Sequence, residues 1–105
     1  MPVVVELHRI ARLEAGDAAD HYESIREGLG ERFATALEAC LEGIAIAPLE
    51  QPPWLFNGVP KGVRHSIVRG FPFAVVFITE PRLVAVAVRH HAQHPTRWLD
   101  RLKTL

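Results

Sequence analysis

Apolar residues in the second half of the chain form three runs separated by short polar breaks. The runs cover residues 62–69, 73–79 and 83–91 and are rich in Val, Ile and Phe, while Gly70 and the Glu80-Pro81 pair interrupt them. This pattern predicts three consecutive strands joined by two tight turns. The middle run has no polar residue at alternate positions, so we expect that strand to lie mid-sheet or to be covered on both faces.

The first half of the chain has the periodicity of helices. A short β-branched run over residues 3–7 predicts a first strand, and helices are predicted over residues 11–27 and 31–46. Gly28-Leu29-Gly30 predicts a tight turn between the helices, and Pro48 ends the second one. Apolar residues recur at spacings of four and three, at Ala11, Ala15, Ala18, Tyr22 and Ile25 in the first helix and at Phe33, Leu37, Cys40, Ile44 and Ala47 in the second. Helices joined by so short a turn form an antiparallel hairpin, whose apolar stripes need the sheet as a cover.

Two further segments connect and end this pattern. Residues 49–61 contain several prolines and predict a loop that crosses from the hairpin to the sheet. We expect the loop to be pinned to the core by its apolar side chains, Trp54, Leu55 and Phe56. A short terminal helix is expected over residues 95–105, with Trp98 and Leu102 packed inward.

The predicted element order is therefore β-α-α-β-β-β. It describes a single α+β domain over residues 1–105, in which a helical hairpin packs on one face of a mostly antiparallel sheet. The pattern does not decide where the first strand joins the sheet.

Composition limits the class of protein. The chain has 105 residues, of which 49% are hydrophobic, so one small folded domain is expected. No apolar run approaches the roughly 20 residues that span a bilayer, and the N-terminal segment does not match a signal peptide, so we expect a cytoplasmic protein without membrane partners. The single cysteine, Cys40, is expected to be a core residue.

Charge is distributed unevenly although the formal net charge is zero. Residues 1–51 contain four Arg against ten Asp and Glu, whereas residues 52–105 contain eight Lys and Arg against two acidic residues. This asymmetry predicts an anionic partner for the second half, either a nucleic acid or an acidic protein segment. The alternative is that the two halves pair with each other.

Short segments over nearly the whole chain match a known family in their order and spacing. They are Glu14-Ala15, Asp20, Tyr22, Gly28-Leu29-Gly30, Phe33, Pro48, Arg64, Phe71-Pro72-Phe73, the segment from Val86 to His90, Pro95 and Trp98. With these segments the chain resembles the ParE branch of the RelE/ParE toxin superfamily, the toxin halves of bacterial toxin–antitoxin pairs. The resemblance implies the toxin of a type II (plasmid stabilisation) system, held in a hetero-oligomer by a cognate antitoxin. The antitoxin's acidic, partly disordered tail is expected to fold across the helical hairpin and the basic sheet edge.

Several positions depart from the family pattern. His65 replaces a second Arg of the family pattern, and Phe73 and Phe77 replace two Tyr. Ala92 and Gln93 stand where members often have one or two Arg, and Arg97 replaces an aromatic residue. The result is fewer hydroxyl and guanidinium groups on the side where family members act. These departures leave open a degenerate toxin that retains only antitoxin binding.

Family members act in two ways, and we favour the one that needs no catalysis. ParE-like toxins poison DNA gyrase, which requires only a binding surface with Arg anchors. The long hairpin with its Gly-Leu-Gly turn also favours this branch. The candidate target-binding residues are Lys61, Arg64, Arg69, Arg89, His90, His91, Arg97 and Trp98.

RelE-like toxins instead cut mRNA in the ribosome. Such cleavage needs a base, an acid, cations for the phosphorane charge and an aromatic group that stacks on a nucleobase. Arg64, Arg89 and His90 would supply the catalytic groups. The only tyrosine, Tyr22, lies on the predicted helix stripe, and zero net charge does not favour ribosome binding, so this enzyme activity is the alternative.

Other polar clusters have simpler interpretations. His90-His91 and His94 suggest a metal, but no carboxylate or HExxH pattern accompanies them. A structural or solvated histidine cluster is therefore expected, and no metal or cofactor is predicted. Asp17 and Asp20 are interpreted as solvated residues of a charged helix face. Arg64 and Arg89 have a structural alternative as ion-pair partners of the acidic helices.

Overall fold

Two helices pack on one face of a four-stranded mixed sheet. The computed structural model describes residues 4–105. The elements are β1 (Glu6–Leu7), α1 (Arg9–Ile25), α2 (Leu29–Ile46), β2 (Arg64–Val68), β3 (Phe73–Ile78) and β4 (Val84–His90), with short 3-10 helices at Pro48–Glu50 and Leu99–Thr104. The strand order is β1-β4-β3-β2, in which β1 is parallel to β4 and the other pairs are antiparallel. The α+β architecture predicted from the sequence is confirmed, and the first strand is an edge strand beside β4.

The helix and strand boundaries differ from the prediction by a few residues. α1 begins two residues early because His8 caps it, its Nδ1 accepting a hydrogen bond from the Ile10 N–H at 3.1 Å. Ile25 is the last residue of α1 and is 61% exposed, so its expected place in the buried stripe is wrong. β1 has only two residues of the predicted run 3–7, and Val3 lies outside the described residues.

The turn between the helices is tighter than predicted. Gly28, with a φ of 87°, makes the reversal, so α2 begins at Leu29. Gly30 lies against α1, where a Cβ would be 2.5 Å from the Ala19 carbonyl oxygen. The Glu23 carboxylate accepts the Gly28 and Gly30 N–H groups, at 2.9 Å and 3.0 Å for the nearer oxygens. Glu23 therefore caps α2, which spacing alone did not indicate.

The core between the helices and the sheet follows the predicted stripes. Phe33, Leu37, Cys40 and Ile44 of α2 are buried, and the Cys40 thiol contacts the Ser66 carbonyl oxygen at 3.7 Å. Burial raises the pKa of the Cys40 thiol, as expected for a core cysteine. Tyr22 joins an aromatic cluster with Phe33, Phe71 and Phe73, in which neighbouring ring centroids are 4.9–6.1 Å apart. The predicted cover of the hairpin by the sheet is confirmed.

A second core covers the other face of the sheet, called here the outer face. Val76, Ile78, Val84, Val86, Ala87 and Trp98 are buried there, and Trp54, Val59, Leu99 and Leu102 pack against them. β3 is therefore covered on both faces, and Trp98 and Leu102 pack inward, as predicted. Trp54 pins its loop as expected, but Leu55 is 79% exposed and Phe56 is also exposed.

One irregularity in β4 decides which face its last residues occupy. Val76 pairs with Ala87 and Phe77 with Ala85, so Val86 is an extra residue in a bulge. Val86 and Ala87 both pack in the outer core. After the bulge, Val88 faces the helices and Arg89 lies on the outer face.

Within residues 4–105 no helix is long and apolar enough to cross a membrane.

Candidate functional site

The catalytic candidates of the ribonuclease alternative do not meet in one place. Arg64 pairs with Phe77 and His90 pairs with Phe73, so both lie on the helix-facing side of the sheet. Their partners on β3 are four positions apart, which is roughly 13 Å along the strand. Arg89 lies on the opposite, outer face. The side chains named for acid, base and charge stabilisation are therefore separated.

The guanidinium of Arg64 binds a backbone carbonyl group of this chain. Its Nη1 donates a 2.6 Å hydrogen bond to the Gln51 carbonyl oxygen, which fixes the start of the loop before β2. Arg64 forms no ion pair with a carboxylate of residues 4–105, so its alternative role as an ion-pair partner of the acidic helices is wrong. The physical reason is that the guanidinium of Arg64 lies against the loop that begins at Gln51, whose position the sequence pattern did not predict.

Arg89 is the most deeply buried charge of the described chain. It is 6% exposed, and its guanidinium lies 4.9 Å from the centroid of the Trp54 ring. Nη2 donates to the Gln93 carbonyl oxygen at 2.6 Å, and Nε has no hydrogen-bond partner in residues 4–105. Burial lowers the pKa of the guanidinium, which remains charged near neutral pH. In this conformation Arg89 offers no exposed contact to a partner, and it forms no ion pair with an acidic residue of the described part of the chain, so its alternative role as a partner of the acidic helices is wrong.

The remaining candidates lie on different parts of the surface. Trp98 is 1% exposed and donates from Nε1 to the Pro95 carbonyl oxygen at 2.8 Å, so it stabilises the core. The half-buried His90 lies 5.1 Å from Phe73 between ring centroids, and its Nδ1 accepts the Ala92 N–H. The exposed candidates are Lys61 in the loop, Arg69 after β2, His91 after β4 and Arg97 in the C-terminal segment.

The histidines after β4 have local roles. His90 Nδ1 accepts a hydrogen bond from Ala92 N–H at 2.9 Å, and His94 Nδ1 accepts one from Thr96 N–H at 3.2 Å. Each bond closes a short turn two residues on. No group of three or more His, Cys, Asp or Glu side chains in residues 4–105 is arranged as a metal site.

The two oppositely charged halves are joined by few ion pairs. In the described part of the chain, Glu6 pairs with Arg82 and Glu14 pairs with Arg101, both at 2.7 Å. The other acidic residues of the first half form no ion pair there. The alternative in which the halves neutralise each other therefore explains only a small part of the asymmetry, and most of the charge remains on the surface.

One edge of the sheet is closed by side chains. β1 covers only the start of β4, and beyond it Glu14 of α1 accepts the Val88 N–H at 3.1 Å. Arg101 donates to the Val86 carbonyl oxygen at 3.0 Å and to both Glu14 oxygens at 2.7 Å and 2.9 Å. These groups occupy the hydrogen-bonding positions that another strand would use.

The opposite edge, formed by β2, is open over part of its length. The preceding loop covers the beginning, since Trp54 N–H donates to Val63 O at 2.8 Å and His65 N–H to Pro52 O at 3.0 Å. Backbone groups of alternate residues point to the same side of an antiparallel strand, so those of Ile67 also point away from β3. No backbone hydrogen bond from outside the sheet reaches Ile67 within residues 4–105, and its side chain is half exposed.

A groove runs beside this open edge, between α2 and β2. It consists of two adjoining hollows of about 670 Å³ and 400 Å³. We call it the β2-edge groove, lined by Gly28, Leu29, Glu31, Arg32, Thr35, Ala36, Ala39, Cys40, Gly43, Gln51, Ser66, Ile67, Arg69, Gly70 and Phe71. The small side chains of α2 leave room on its floor, and the exposed Arg32 and Arg69 lie on its walls.

Sequence reasoning missed most of this groove. Arg69 was a candidate, but Ile67 resembled an ordinary apolar strand residue, and Ala36 and Ala39 fall beside the predicted stripe of α2. The available signal was an apolar strand residue near two cations, which does not distinguish an edge strand from a central one.

Comparison with known families and with curated proteins found no family and no curated protein that matches this chain.

Proposed function

We propose that this chain is the toxin of a type II toxin–antitoxin system, ParE-like, that acts in the cytoplasm by binding and poisoning DNA gyrase. A cognate antitoxin neutralises it by laying an extended acidic and apolar segment along the β2-edge groove. The observation that carries the proposal is the difference between the two sheet edges, because one is closed by Glu14 and Arg101 and the other is open at Ile67.

An open strand edge binds an extended segment through main-chain hydrogen bonds. The Ile67 N–H and C=O supply a donor and an acceptor, and apolar side chains of the added segment would lie on the small residues of α2. Ser66, the preceding residue, and Arg69, two residues further on, extend the same surface, since both line the groove with Ile67. The groove therefore supports a peptide partner more than a compact small molecule.

Charge supports the acidic character of that segment. Arg32 and Arg69 lie on the groove walls, and Glu31 is the only acidic residue among those that line it. Oppositely charged surfaces raise association rates and disfavour wrong partners. A disordered acidic tail would lose conformational entropy on binding, and backbone pairing together with apolar burial offsets that loss.

A binding role is supported over RNA cleavage. Arg64, Arg89 and His90 lie in separate places, and the guanidinium groups of Arg64 and Arg89 are occupied by carbonyl oxygens of the chain itself. Gyrase binding needs no converging catalytic set, only exposed contacts, which Lys61, Arg69, His91 and Arg97 provide. The resemblance to the ParE branch supports gyrase as the target.

Replacing Ile67 by Pro tests the docking edge. The Ile67 N–H points away from β3, so Pro removes a free donor without breaking the β2–β3 ladder. We expect the protein encoded beside this chain to bind the wild type with nanomolar affinity. Ile67→Pro is expected to weaken that affinity by about 100-fold, measured by calorimetry, since it removes a backbone hydrogen bond and obstructs strand addition.

Ile67→Ala is the matched control, because it shortens the side chain and keeps the N–H. Its affinity is expected to fall by less than about 10-fold, the loss of part of one apolar contact. Circular dichroism of both variants checks that the sheet is intact. Equal binding by the wild type and Ile67→Pro would exclude the β2 edge, and failure of the neighbouring protein to bind at all would contradict the proposed function.

The cellular target is tested by induced expression. We expect filamentation, an SOS response and gyrase-dependent DNA breaks while mRNA remains intact. Cuts in mRNA at codon positions on translating ribosomes would contradict the gyrase assignment and select the ribonuclease. Absence of growth arrest would indicate that the departures at His65, Phe73, Ala92 and Gln93 have removed toxicity and that only antitoxin binding remains.

A further inference from the structure

The loop over residues 51–63, called here the strap, packs on the outer face through Trp54 and Val59, and Trp54 makes the contacts with the polar groups beneath it. Between ring centroids, Trp54 is 4.7 Å from His65 and 4.8 Å from Phe56, and the Arg89 guanidinium is 4.9 Å from its ring. Its Nε1 donates a 2.9 Å hydrogen bond to the Pro95 carbonyl oxygen. The same oxygen accepts a hydrogen bond from the indole N–H of Trp98. Trp54 thereby joins the strap to β2, β4 and the C-terminal segment.

Two buried polar atoms beneath Trp54 have no hydrogen-bond partner in residues 4–105. They are His65 Nδ1 and Arg89 Nε. His65 pairs with Val76 and Arg89 with Ala74, so the two side chains rise from the outer face on either side of β3. Buried unpaired groups are rare in folded proteins and mark places where the packed conformation is disfavoured relative to a hydrated one.

The charges around His65 all favour its neutral form. Burial lowers the pKa of His65, and the positive charges of Arg89 and His91 on β4 and just after it lower it further. The carbonyl groups of Pro52 and Pro53 in the strap act in the opposite sense. β3 contributes only apolar side chains there, and no carboxylate of the described residues is among the groups that act on His65.

We propose that His65 is a pH-sensitive latch for the strap. When His65 is neutral, Trp54 packs against both the His65 ring and the Arg89 guanidinium. Protonation of His65 places a second cation beside Arg89 and makes a donor of Nδ1, which is buried and has no hydrogen-bond partner in residues 4–105. Burial and charge repulsion outweigh the opposite effect of the Pro52 and Pro53 carbonyl groups, so the strap detaches and Arg89 becomes accessible. This inference concerns the outer face and holds whether or not the β2-edge groove binds an antitoxin.

The direction with pH follows from the two states. With the strap detached, His65 is hydrated and titrates near its ordinary pKa of about 6.5, whereas in the closed state its pKa is lower. The detached state therefore binds more protons below about pH 6.5, and closed packing is lost as the pH falls from there through the closed-state pKa. Above pH 7 the strap stays closed.

Nuclear magnetic resonance of the whole chain tests the latch. The two indole N–H groups give separate signals, and the ring signals of His65 report its protonation. Between pH 7.5 and 5.0 we expect hydrogen exchange of the Trp54 indole to accelerate about tenfold relative to that of Trp98, because the strap opens as His65 is protonated. The midpoint should coincide with the His65 titration and lie below 6.5. Because both indoles are compared at each pH, the intrinsic dependence of exchange on pH cancels.

Two variants separate the latch from general acid loosening. His65→Gln should abolish the change at Trp54, and His91→Gln should keep it and move its midpoint upward, since one repelling charge is removed. A Trp54 signal that stays unchanged while His65 becomes protonated would overturn the proposal, as would an unchanged transition in His65→Gln. Should His65→Gln not fold, the coincidence of midpoints in the wild type and their shift in His91→Gln decide it.

Discussion

Replacing Gly30 by Ala is expected to lower the free energy of unfolding by about 2 kcal/mol, as the cost of overlap exceeds the gain in helix propensity. A Cβ at this position would be 2.5 Å from the Ala19 carbonyl oxygen and 3.0 Å from the Glu23 side chain. The nearest atom belongs to the backbone of α1, which cannot move without separating the hairpin. Urea denaturation followed by circular dichroism measures the difference.

Gly43→Ala in the same helix is the matched control. A Cβ there meets nothing within 4 Å in residues 4–105, so only the propensity term remains. We expect this variant to be more stable than the wild type by up to about 1 kcal/mol. If both variants changed stability in the same direction by similar amounts, the close approach of α1 and α2 at Gly30 would not be a determinant of the fold.

Replacing Glu14 by Ala is expected to lower the free energy of unfolding by about 3 kcal/mol, the usual cost of removing one partner of a buried ion pair. The side chains of Glu14 and Arg101 are 18% and 10% exposed. The substitution leaves the Arg101 guanidinium without its carboxylate and the Val88 N–H without an acceptor. The same denaturation experiment measures the loss.

The exposed pair of Glu6 and Arg82 provides the comparison. Its atoms are also 2.7 Å apart, but both side chains are about half exposed, so Glu6→Ala is expected to cost less than about 1 kcal/mol. The double variant with Glu14→Ala and Arg101→Ala should lose less free energy of unfolding than the sum of the losses of the two single variants, because no unpaired charge remains. A cost for Glu14→Ala no larger than that for Glu6→Ala would show that this edge is not stabilised by the ion pair.

Glu14 and Arg101 also determine where another chain can pair. Without them the edge of β4 at Val86 and Val88 would expose free backbone groups, as the edge of β2 does at Ile67. Natural sheets protect edges because exposed ones promote aggregation. Within residues 4–105 the protected edge and the open one therefore leave the free backbone groups on the side of the sheet that lies next to the groove and its cations.

Local pattern was sufficient to predict the elements of the fold. The spacing of Phe33, Leu37, Cys40 and Ile44 placed the buried stripe of α2, and the unbroken apolar run of β3 indicated a strand covered on both faces. These features depend on the periods of helix and strand, which neighbouring residues establish by themselves. The inward packing of Trp98 in the terminal segment was predicted in the same way, although its burial removes it from the contact surface.

The candidate sites depended on tertiary structure. The bulge at Val86 moves Arg89 to the outer face beneath Trp54, and a shift of one residue of this kind has no mark in an apolar run. The closure of one sheet edge joins Glu14 to Arg101, which are separated by 87 positions in the chain. Local sequence patterns therefore specify which segments are helices and strands and which of their faces are apolar. Only the packing of distant segments decided which edge is open and which cations are covered, because those properties depend on contacts between residues that no local period relates.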